Sequence, residues 1–130
     1  YKEKSMGLFS DPVSITTTAG TQTFVNGGQV LNAKSKIGEW LESTTGIDLA
    51  AESKVVAKHT ETGTLNRRLL QRTVLLDPLS GETERRRVTI NKTYTYDDNV
   101  TEAELVAEDE VLTQLEADTG FFSRFVMGLI

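Results

Sequence analysis

The order of parts along the chain constrains it most. Two basic runs of strand-like sequence near the middle are followed by an Arg85-Arg86-Arg87 strand and then by two helical stretches that reach residue 130. A sheet with one basic face, joined to helices that hold the acidic charge, has one side suited to a polyanion and another suited to water or a partner. The arrangement points towards packaging of nucleic acid.

A net charge of −5 speaks against this only while the chain is treated as uniform. Between residues 54 and 92 the cations Lys54, Lys58, Arg67, Arg68, Arg72, Arg85, Arg86, Arg87 and Lys92 outnumber the acids. From 101 to 118 the charged residues are Glu102, Glu104, Glu108, Asp109, Glu110, Glu116 and Asp118, with no Lys or Arg among them. Charge separated along the chain in this way is a feature of nucleic-acid binders. At 130 residues and 38% hydrophobic content, a single domain over 1–130 is expected. The chain has no cysteine, which removes disulfides, thiolate catalysis and cysteine-bound metal. No apolar run reaches the roughly 18–20 residues of a membrane span, and no long apolar segment follows Tyr1-Lys2-Glu3-Lys4, so a soluble intracellular protein without a membrane partner is expected.

Residues 1–12 suggest an arm or loop, and 13–26 a hairpin. In the hairpin, Val13 to Thr18 and Gln22 to Val25 are β-prone runs about an Ala19-Gly20-Thr21 turn, with Asn26-Gly27-Gly28 as a second turn signal. A sheet region over 37–96 opens with Ile37-Gly38-Glu39-Trp40-Leu41, where the only tryptophan reads as a packing anchor. The run from Lys54 to Thr62 alternates, placing Lys54, Val56, Lys58, Thr60 and Thr62 on one face and Val55 and Ala57 on the other. Gly63 to Asn66 turns the chain into Arg67 to Leu76. The alternation there is blurred, so whether Arg67 or Arg68 shares a face with Arg72 stays open, with Arg68 favoured. The next strand sets Arg85, Arg87, Thr89, Asn91, Thr93 and Thr95 against Val88, Ile90, Tyr94 and Tyr96. Polar faces on neighbouring strands would add into one surface. Thr101-Glu102-Ala103-Glu104 has the form of a capping box, which starts a helix near 101, and Gly120 marks a break. Leu105, Leu112 and Leu115 recur at helical spacing, and Phe122, Phe125, Val126 and Leu129 follow at i, i+3, i+4 and i+7. An apolar stripe of that size needs a cover.

In this order the elements resemble the coat protein of the small single-stranded RNA bacteriophages, the levivirus group. The likeness rests on Ile37-Gly38-Glu39-Trp40-Leu41-Glu42-Ser43, on Lys54-Val55-Val56 leading into the Asn66-Arg67-Arg68 hairpin, and on Tyr94, Tyr96, Asp97 and Asn99 leading into Ala103-Glu104-Leu105-Val106. It implies an α+β fold: an N-terminal hairpin, a five-stranded antiparallel sheet, and two C-terminal helices over 101–130 that pack across a partner's sheet in an interlocked homodimer. It also implies an icosahedral shell, assembled in the cytoplasm of a bacterial host, that packages single-stranded viral RNA on its inner sheet face. The same face would bind an RNA hairpin in translational repression. Carried over by position, the RNA-binding residues are Lys54, Lys58, Thr60, Arg68, Arg72, Arg87, Thr89 and Asn91, and Arg85, on the same strand face as Arg87, is expected to join them. The dimer interface takes Leu105, Leu112, Leu115, Phe122, Phe125, Val126 and Leu129. Val56 departs from a position that is often polar in the family, and the 79–84 loop is short.

Plainer readings account for the other candidates. His59, the one histidine, has the parity of Val55 and Ala57 and reads as a packed strand residue, with no cysteine or serine placed to make a nucleophile. Glu108, Asp109 and Glu110 spread around a helix, so they do not form a metal clamp. No enzyme, metal, cofactor or small-molecule substrate is expected. The competing reading from another class is a cellular dimeric nucleic-acid-binding regulatory module.

Overall fold

The computed structural model describes residues 7–32, 34–43 and 52–130, so the first half of the arm or loop expected over 1–12 lies outside the described residues. The chain divides into two compact units, 1–95 and 96–130. Among the described residues no helix is long and apolar enough to cross a membrane.

The first unit is built on one six-stranded sheet in which every strand lies beside its chain neighbours: β1 (Val13–Thr17), β2 (Gly20–Leu31), β3 (Ser35–Glu42), β4 (Lys54–Thr62), β5 (Leu65–Leu76) and β6 (Arg86–Asp97). The β1–β5 pairs are all antiparallel. In the β1–β2 hairpin, cross-strand hydroxyls bond in pairs, Ser14 with Thr23 at 2.8 Å and Thr16 with Thr21 at 3.0 Å.

The coat-protein resemblance implies a hairpin plus a five-stranded sheet, whereas the described residues form one sheet of six strands. The Asn26-Gly27-Gly28 segment is the reason. It is a bulge inside β2 and not a turn: the register with β3 shifts between Asn26 and Gly28, Gly28 adopts φ 144°, and its amide donates to Asn26 Oδ1 at 3.1 Å. One bent strand therefore pairs with β1 in its first half and with β3 along most of its length. Gly27 is also sterically required, since a Cβ there would stand 2.8 Å from Leu41 Cγ.

Trp40 is the anchor that its sequence context suggests. It is buried with Phe24 and Ala57, and Phe9, Val13 and Val55 pack around them. Phe9 meets the indole edge-on at 5.0 Å. The register makes this cluster one face of the sheet, because Trp40 lies opposite Val55, and Val55 opposite Arg72.

The second unit contains α1 (Glu102–Glu116) and α2 (Phe121–Val126). The capping box at its start is complete: Thr101 accepts from the Glu104 amide, and Glu104 accepts from the Thr101 amide at 2.9 Å. The Thr101 amide, and then the Thr101 hydroxyl donating at 3.1 Å to the same Oε1, hold the Glu104 carboxyl below its ordinary pKa. Gly120, at φ 78°, makes the break before α2. Phe122, Phe125 and Val126 lie on or beside one face of α2, but Leu129 does not continue it, because the helix ends at Val126 and Gly128 turns at φ 79°. Neither helix buries a residue within the single chain, and Leu112, Leu115, Phe122, Phe125 and Val126 are all more than half exposed.

Candidate nucleic-acid interface

The face of the sheet opposite Trp40 is assembled by the β4–β5 hairpin. Its loop has only two residues, Gly63 and Thr64, with Gly63 at φ 61°, so Thr62 pairs with Leu65. With that loop length, even-numbered residues of β4 stand opposite odd-numbered residues of β5. Lys54 faces Thr73, Val56 faces Gln71, Lys58 faces Leu69 and Thr60 faces Arg67. On β6, Asn91 joins this surface through a 2.8 Å bond from Gln71 Nε2 to its Oδ1. Strand alternation then brings Arg87 and Thr89 to the same side.

Lys54, Lys58, Thr60, Arg87, Thr89 and Asn91 thus occur together, as their sequence pattern indicates. Arg68 and Arg72 do share a face, but it is the other one. Arg72 lies opposite Val55; its Nη2 donates to Glu42 Oε1 at 2.8 Å, and its guanidinium covers the Phe24 ring at 5.1 Å. Arg68 lies opposite His59 and pairs with Glu61 at 3.4 Å. Arg85 precedes β6 and bonds to Asp77 at 3.1 Å. The residues missed in sequence are Arg67 and Gln71. The signal for them was the loop length, since a one-residue change in register moves every side chain of a strand to the opposite face.

The cations of this surface are not equivalent. Lys54 has Glu39 at 3.9 Å and Arg87 has Glu52 at 2.8 Å. Lys58 and Arg67 are exposed and make no ion pair among the described residues. Arg67 is the diagonal neighbour of Lys58, a separation of about 7–8 Å that a sugar–phosphate backbone can bridge, with the Thr60 hydroxyl beside both. The Gln71–Asn91 amide pair adds donors and acceptors of the kind that touch bases and riboses. Val56 and Leu69 are half-buried apolar members of the same surface.

His59 is on the Trp40 face, as its parity indicates. Burial lowers its pKa from 6.5, and Arg68 and then Lys36 lower it further, against a backbone hydrogen bond at Lys58.

The fold is α+β, an antiparallel meander followed by two helices. It is similar to the virus-like particle of bacteriophage AVE019, with TM-score 0.67 and 10% identity over 92% of this chain and 96% of that one. It is also similar to the virus-like particle of Beihai levi-like virus 21, with TM-score 0.59 and 12% identity over 88% and 91%. The resemblance to levivirus coat proteins carried by the sequence is thus present in the fold. No family model matches the sequence, and no curated protein matches it.

Proposed function

We propose that this chain is the coat subunit of a small single-stranded RNA phage. In this reading it dimerises by laying its helices across a partner's sheet, the dimers close into an icosahedral shell in the bacterial cytoplasm, and the shell, as virion, encloses viral RNA. Lys54, Lys58, Thr60, Arg67, Gln71, Arg87, Thr89 and Asn91 form the RNA face, and binding of an RNA hairpin for translational repression would use the same surface. The observation that carries the reading is a fold shared with two virus-like particles over 92% and 88% of the chain. The uncompensated Lys58–Arg67 pair on one sheet face supports it. Release of counterions from phosphate supplies most of the affinity, so binding weakens steeply with salt.

The test is electron microscopy and sizing of the chain expressed alone in bacteria, with the 260/280 nm absorbance ratio as the measure of co-purified RNA. Closed particles rich in RNA are expected. A dimer that never assembles would replace this reading with the regulatory module, and closed particles free of nucleic acid would remove the RNA role.

A further inference from the structure

The acidic helix carries an unsolved electrostatic problem. At 3.6 residues per turn, Glu108 has Leu105 at i−3, Val111 at i+3, Leu112 at i+4 and Leu115 at i+7. It therefore lies inside the apolar stripe of α1, and α1 contains no Lys or Arg to neutralise it. Whatever covers that stripe removes water from a carboxylate, which is costly unless the covering surface brings a cation.

The Trp40 face of the sheet is apolar and has cations set into it. On β5 two are already committed, Arg72 to Glu42 at 2.8 Å and Arg68 to Glu61 at 3.4 Å. On β3, Lys36 lies opposite His59 in the register and makes no ion pair among the described residues. It lines a cleft of about 480 Å³ with Leu31, Trp40, Ala57 and His59. His59 Nδ1 is buried and has no hydrogen-bond partner among the described residues. Glu108 has no cation on its own helix, Lys36 has no ion-pair partner among the described residues, and both sites have apolar neighbours.

We propose that in the homodimer Glu108 of one copy seats in this cleft of the other, where the Lys36 ammonium neutralises it and the surrounding leucines of α1 cover Leu31 and the edge of the Trp40 cluster. The occupant is a second copy of this chain. The inference rests on the coat-protein reading and adds to it the charge pair that sets the register of helix on sheet. Burial, and then Arg68 and Lys36, lower the His59 pKa below 6.5, which leaves Lys36 as the uncommitted charge of the cleft near pH 7.

The experiment is a charge swap in the full-length chain, read by sedimentation across protein concentrations and by particle counts in micrographs, with circular dichroism to verify folding. Glu108→Lys and Lys36→Glu should each weaken dimerisation on the order of 100-fold or more, because like charges then meet in a desolvated site. The double variant Glu108→Lys/Lys36→Glu should recover dimers and particles to within about tenfold of the original. Single variants that associate like the original, or a double variant no better than the weaker single, overturn the pairing while leaving the coat-protein reading intact. An original chain that stays monomeric at every concentration overturns both. Should Glu108→Lys fail to fold, Glu108→Leu decides: it removes the carboxylate, so Lys36→Glu added to it should have little effect, and an undiminished effect of Lys36→Glu overturns the proposal.

Discussion

On the Trp40 face of the sheet, each β5 arginine is held by a carboxylate: Arg72 by Glu42, whose side chain is only 8% exposed, and Arg68 by Glu61. On the opposite face of the same hairpin, Lys58 and Arg67 project beside one another with no carboxylate partner among the described residues. The two β5 arginines of the Trp40 face and the Lys58–Arg67 pair of the other face differ in what their charges are doing. A guanidinium already committed to a carboxylate and an aromatic ring holds a fold together; an uncommitted one is available to phosphate. The partners of a basic residue, and not its type, separate committed from uncommitted charge here.

The comparison breaks most decisively at Arg72. Replacing it with methionine leaves Glu42 buried without its cation, and the expected loss is on the order of 3 kcal/mol in chemical denaturation, with the salt dependence of RNA binding unchanged. A stable variant, or one whose RNA binding alone falls, would mean that the two faces have been assigned the wrong way round.

Lys58→Ala combined with Arg67→Ala should do the opposite. Both side chains are exposed, so stability should stay within roughly 0.5 kcal/mol. The slope of log affinity against log salt should flatten by about 1 for each cation removed from phosphate, measured by filter binding or by the RNA content of particles. An unaltered slope would remove these residues from the interface.

A smaller effect should come from His59. Its pKa lies below 6.5 in the folded chain. Between that folded value and 6.5 the unfolded state binds more protons, so stability is full above about pH 6.5 and declines as the pH falls towards the folded value. His59→Gln should flatten this segment of the stability–pH curve, and an identical curve would mean that the Lys36–His59–Arg68 row does not sense protons. The smallest change belongs to the second unit, where Thr101→Ala removes the cap of α1 at the usual cost of ~1 kcal/mol, visible as reduced helicity.

How much of this was legible in the sequence varied with how local the cause was. The faces of β4 followed from alternation alone, because Val55, Ala57 and His59 have one parity and Lys54, Lys58 and Thr60 the other. Trp40, the capping box at Thr101 and the break at Gly120 were also legible, each being set by a single side chain or a single φ value. Arg67 and Gln71 were missed because a strand with leucines of both parities does not declare its inner face. Its partner declares it, through the length of a loop. Asn26-Gly27-Gly28 has the composition of a turn, and only the pairing of β2 on both sides of it shows a bulge. Leu129 fitted a helical period that the left-handed Gly128 had already ended.

The residues in order were enough to establish the succession of strands and helices, the separation of basic from acidic segments, and the strand and helix patterns that make up the coat-protein resemblance. These depend on interactions between residues a few positions apart, whose geometry any strand or helix repeats. Which arginines face which way, how many strands the sheet has, and which cations remain uncommitted depended on cross-strand register and on pairs such as Arg72 with Glu42, thirty positions away. Register is a property of two segments jointly, so tertiary pairing had to decide it.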